Sequence, residues 1–250
     1  MTDGQTAVRR SRFFLIASAV MSLIVFLGFL PSFYLRPYFR DNALPLHLIA
    51  HGVIMTAWQL LFLTQTILVA RRRTDLHRRL GWLGAALAFM VVVTGVLTTL
   101  LQPAGLAEAA VTLPFPLELL VIGNLFGFVV FAGFVTVAIK WRRDAQVHKR
   151  LIFWACVVTM GPALTAVRSL GEMLAPFFPA SLPPEQALVW IAWVALLLHD
   201  WISARRFHPV SVFGGFLILF VQFPVVDWIV AIPAVGEWVR SLGVNPTYEA

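Results

Sequence analysis

Leu46–Gly84 reads LHLIAHGVIMTAWQLLFLTQTILVARRRTDLHRRLGWLG. From His47 to Ala70 it contains no Asp, Glu, Lys or Arg. About 20 apolar residues are needed to cross roughly 30 Å of hydrocarbon as helix. Five arginines follow (Arg71, Arg72, Arg73, Arg78 and Arg79), and a second apolar run starts at Trp82. The apolar residues are continuous and do not alternate, which argues against the strands of a barrel. A bilayer otherwise admits only internally hydrogen-bonded helices. The stretch therefore predicts two spanning helices joined by a short basic turn.

The same plan extends over the whole chain. Hydrophobic residues make up 60% and charged residues 12%, against about 25% charged in soluble domains. The sequence predicts an all-α polytopic membrane bundle, residues 1–250 as one domain. Its seven transmembrane helices fall near 13–30, 47–70, 82–101, 117–139, 151–170, 187–203 and 210–232. The first run follows Arg9, Arg10 and Arg12 like a signal peptide. It exceeds the usual ~7–15 apolar residues and no A-x-A site follows, so it is expected to be retained. Pro31 is expected to close it, and Pro224 to kink the last span. The tail AVGEWVRSLG (234–243) is expected to form one amphipathic helix at the interface.

Charge sets the predicted orientation. Of the 19 Lys and Arg residues, 15 precede the first span or lie in the turns after the second, fourth and sixth, while Arg36, Arg40, Arg168 and Arg240 fall on the other side. Positive charge marks the cytoplasm, so the amino terminus is predicted inside and the carboxyl terminus outside, in a bacterial inner membrane. The net charge of +7 is spent on topology and lipid headgroups; no basic domain exists outside the membrane to bind nucleic acid. Cys156 is the single cysteine, so no intrachain disulfide forms.

The basic turn recurs. RRRTDLHRRL around His77 and RRDAQVHKRL around His148 are offset by 71 residues, which also places Gly52 on Gly123 and His47 on Glu118. The second-third and fourth-fifth spans thus read as two copies of one hairpin. All histidines sit at span ends. His47 and His51, one helical turn apart, can share a Zn, Cu or Fe ion, with Glu118 as a candidate third ligand. Trp58 and Gln65 lie on the same helix face. His77, His148, His199 and His208 lie at the opposite end, and two of them on different helices could ligate a b-type haem. Thr74 or Asp75, and Asp144, are candidate caps before His77 and His148. Asp200 is expected to orient a ligating imidazole or to pair with Arg205 or Arg206. Arg168 and Glu172 have the spacing of an ion pair. Gln222 and Asp227 are expected to face inward.

The pattern of His47 or His51, Gln65 and Leu76–Gly81, with the later HKRL, resembles a family of uncharacterised bacterial multi-pass membrane proteins. The likeness covers the second to fifth spans and implies a helical membrane fold. The span-end histidines more loosely resemble transmembrane b-type cytochromes and small membrane factors serving haem–copper oxidases. Walker, Rossmann, zincin and nucleophile-elbow motifs are absent from the sequence. The leading expectation is a redox or metal-handling membrane protein with histidine-bound metal or haem. The alternatives are a non-enzymatic assembly factor or structural partner of other membrane-complex subunits, and a small-solute transporter with Thr94 and Asn124 lining a midplane cavity.

Overall fold

The computed structural model describes residues 3–41, 43–108, 116–166 and 184–243. Among them all regular structure is helical. The helices are α1 (Asp3–Phe29), α2 (Arg36–Phe39), α3 (Leu46–Ala70), α4 (Thr74–Glu108) and α5 (Leu117–Lys140). They continue as α6 (Ala145–Val158), α7 (Gly161–Ala166), α8 (Pro184–Ala204), α9 (Pro209–Phe216), α10 (Phe223–Val230) and α11 (Pro233–Gly243). Among the described residues six helical segments are long and apolar enough to cross a membrane: Arg12–Tyr34, Leu46–Ala70, Thr74–Ala104, Leu117–Lys140, Gln186–Ala204 and Pro209–Val230.

The segment expected to span at 151–170 differs. Helix α6 stops at Val158 and α7 restarts at Gly161, because Pro162 lacks an N–H and its ring crowds the preceding turn. Thr159 closes α6, its hydroxyl donating to the Cys156 carbonyl at 2.9 Å. Helix α6 has 14 residues and is too short to span by itself; it is also enclosed, with Trp154, Ala155 and Cys156 fully buried.

Two other prolines are accommodated within helices. Pro31 does not end the first span. The helix widens into a π-turn at Leu30–Tyr34, closed by Leu35 N–H donating to the Leu30 carbonyl at 2.7 Å. Pro103 lies inside α4, which continues to Glu108. The last span holds a π-helical segment at Leu217–Gln222, just before Pro224. The wider turns make room for a proline ring without breaking the helix.

Neighbouring helices pack in sequence: α3 on α4, α4 on α5 and α5 on α6. Helix α1 lies against α3, α6, α7 and α8, and α11 rests on α4 and α5. Leu23, Leu60, Phe89, Val129 and Phe213 point outward, the surface lipid would cover. Polar side chains tie α1 to α3. Gln59 Nε2 donates to Ser22 Oγ at 3.1 Å, and the Ser18 and Thr66 hydroxyls meet at 2.6 Å. Such contacts between membrane helices contribute about 0.6 kcal/mol each. Helix α11 buries Gly236 and Val239 and exposes Trp238, the amphipathic pattern the tail predicts.

Candidate functional site

His77 and His148 occupy matching places at the basic end of the bundle. Each lies in the first turn of its helix. The His77 N–H donates to the Arg73 carbonyl at 3.1 Å, and the His148 N–H to the Asp144 carbonyl at 2.9 Å. Asp144 caps α6 by accepting from Gln146 N–H at 2.8 Å and Val147 N–H at 3.1 Å. These bonds, from Val147 first and then Gln146, hold its carboxyl below the usual range. At the start of α4, Asp75 faces Arg73 at 3.6 Å on an exposed surface.

The turns bring the two rings together, with centroids 6.3 Å apart and planes at 81°. His148 Nδ1 lies 2.9 Å from the Ala138 carbonyl. A carbonyl only accepts, so Nδ1 carries the hydrogen and the neutral ring's lone pair sits on Nε2. A backbone carbonyl fixes the tautomer of ligating histidines in the same way. His77 Nδ1 is buried and has no hydrogen-bond partner, as is the Oε1 of Gln65. Gln65 Nε2 donates to the His77 carbonyl at 3.2 Å, so the motif glutamine of α3 reaches the turn that carries His77. A buried polar atom left without a partner costs about 1–3 kcal/mol.

The other two histidines at this end have separate surroundings. His199 stacks on Phe13 at 4.3 Å and 12° and meets Phe14 edge-on at 5.6 Å. His208 caps α9, its Nδ1 accepting from Val210 N–H at 3.2 Å. Burial, then the charge of Arg150, pushes His208 below the ordinary imidazole value, in keeping with a neutral acceptor. Asp200 does not orient an imidazole side chain. Its carboxylate pairs with Arg150, and Oδ2 accepts from Ser211 Oγ at 2.6 Å and His208 N–H at 3.1 Å. Arg150 also donates to Ser211 Oγ and to the carbonyl and Oε1 of Gln146, each at 2.9 Å. This knot joins α6, α8 and α9 and is saturated.

No family model, curated protein or solved structure matches this chain.

At the far end, His51 Nδ1 lies 3.0 Å from Thr94 Oγ1, and the His47 carbonyl accepts from Thr98 Oγ1 at 3.3 Å. Glu118 faces Arg240 of α11 at 3.4 Å. Among the described residues no three His, Cys, Asp or Glu side chains gather into a metal-holding group. His51 thus meets Thr94 through its ring, His47 meets Thr98 through its backbone carbonyl, and Glu118 meets Arg240. Thr94 is occupied by His51 and by the Met90 carbonyl, 2.7 Å away. Trp58 is buried on the same face of α3. Gln222 is buried, but Asp227 is exposed, a correction to its expected inward orientation. Arg168 and Glu172 lie outside the described residues.

The sequence pattern pointed to His77 and His148 through the repeated turn. It missed the Arg150–Asp200–Ser211 knot, whose members come from three helices. The one signal available was an aspartate at a span end, where an unpaired charge is costly.

Proposed function

We propose that this chain is a seven-pass inner-membrane protein, amino terminus cytoplasmic, that holds a b-type haem between His77 and His148 and serves a redox role. The two hairpins α3–α4 and α5–α6 read as copies of one unit, and each would contribute one histidine to hold the group. The reading is carried by the juxtaposed rings 6.3 Å apart. Two imidazoles on opposite sides of one ion, each with a metal–nitrogen distance of about 2 Å, place their centroids about 6 Å apart; a tetrahedral ion draws them to about 5 Å. The tautomer of His148 leaves Nε2 as the ligand atom, and the unpartnered Nδ1 of His77 is the matching atom. A bare ion would need further protein ligands, whereas haem iron takes only two from the protein. The turns also carry Arg71, Arg72, Arg73, Arg142 and Arg143, which suit the two propionates of a haem. Bound there, the haem supplies a one-electron couple at the membrane surface.

The test is haem and iron content of protein purified in mild detergent from haem-replete cells. Near-stoichiometric haem is expected in the wild type, with a loss of at least tenfold in His148→Ala and in His77→Ala while both variants stay monodisperse and helical. Copper or zinc in place of haem, lost in the same variants, would keep the histidine pair and change the cofactor. A metal-free wild type purified without chelator would remove the redox reading and favour a structural partner of a larger complex.

A further inference from the structure

The connector between the first two spans lies at the end of the bundle away from the basic turns. A cavity of about 440 Å³ opens there, lined among others by Phe33, Arg36, Arg40, Asp41, Leu44 and Ile49. Its wall is layered. Phe33 and Ile49 lie at the near ends of the apolar spans Arg12–Tyr34 and Leu46–Ala70. Arg36 and Arg40 lie beyond those ends, on α2 and at its close. Arg36 is steered by a hydrogen bond from Nη1 to the Ser32 carbonyl at 3.1 Å. Tyr38 and Phe39 stand exposed on α2, as aromatic side chains do at a membrane surface.

The charge is informative. Only four of the 19 cationic residues fall on this side by the sequence, where they weaken the topology signal. Of these, Arg240 faces Glu118, and two others line this one cavity. With Asp41 beside them the lining carries a net single positive charge, the complement of one phosphodiester. We propose that the cavity is a binding site for one anionic phospholipid. Arg36 and Arg40 hold its phosphate, while Phe33, Leu44 and Ile49 take the glycerol and the start of an acyl chain. A soluble anion would use the arginines but not the apolar floor that continues into the membrane.

Native mass spectrometry of the full chain, exchanged into micelles doped with equal phosphatidylglycerol and phosphatidylcholine, tests this. The wild type is expected to retain one phosphatidylglycerol in preference to phosphatidylcholine. Arg36→Gln/Arg40→Gln should reduce that retention roughly tenfold or more, since each arginine near a headgroup contributes measurably to anionic-lipid affinity. Ile49→Trp, which fills the floor and keeps both charges, should reduce it as well. Equal retention of the two lipids by the wild type would overturn the proposal. So would undiminished phosphatidylglycerol in the double variant, or loss in the arginine variant alone with Ile49→Trp unaffected, which would leave a surface charge effect.

Discussion

Replacing Asp200 with alanine is expected to destabilise the bundle by about 3–5 kcal/mol, the cost of removing one partner of a buried ion pair. Asp200 is 1% exposed and Arg150 5% exposed. The carboxylate answers Arg150, Ser211 Oγ and the His208 N–H at once. Without it a guanidinium remains enclosed with only the Gln146 and Ser211 oxygens, and two further donors lose their acceptor. The penalty belongs to the unpaired charge rather than to the pair's net contribution. The double replacement Arg150→Met/Asp200→Leu should therefore cost less than Asp200→Ala alone. Unfolding in mixed micelles, followed by circular dichroism, measures both. A single-variant cost below about 1 kcal/mol, or a double variant weaker than the single, would show that the knot does not carry the junction of α6, α8 and α9.

Gly28→Leu is expected to be comparably damaging for a steric reason. A Cβ at Gly28 would stand 2.4 Å from the Ala163 carbonyl oxygen and 3.1 Å from its carbon. These are backbone atoms, so no rotamer change relieves the clash; α1 and α7 must separate. Overpacking a close helix contact costs about 1–3 kcal/mol and more where backbone must move. Gly133 supplies the contrast. Nothing lies within 4 Å of its added Cβ, and it faces outward on α5. Gly133→Ala should be neutral or stabilising by about 0.5–1 kcal/mol, the helix-propensity difference. Equal behaviour of the two variants in the same unfolding assay would contradict the tight α1–α7 contact.

These two effects mark where sequence reading stops. Uninterrupted apolar runs of span length are a local property, and six of the seven expected segments form long apolar helices among the described residues. The period of α3 puts Trp58 on one face with Gln65, and Trp58 is buried there, while Asp144 is recognisable as a cap from its place before an apolar run. Proline was read too simply. Pro31 is absorbed into helix by a π-turn, whereas Pro162 divides the fifth segment. The outcome depends on whether a turn can widen, which is decided by packing. The partners of charged residues were the least legible. In the sequence Arg150 reads as one more basic turn residue, yet it pairs with an aspartate 50 positions later. Glu118, matched by the repeat to His47, faces Arg240 across 122 positions. Spacing along a helix specifies which residues share a face; it does not specify which helix that face will meet. His77 and His148, singled out by their similar basic turns, do lie together, with ring centroids 6.3 Å apart.

The histidine pair is tested most directly by the electron paramagnetic resonance spectrum of the oxidised, haem-replete protein. A haem held by both His77 and His148 would give a low-spin signal, and that signal is expected to become high-spin in His148→Ala. A wild-type spectrum that is high-spin, or a low-spin signal unchanged by loss of either His77 or His148, would contradict a haem held between the two hairpins.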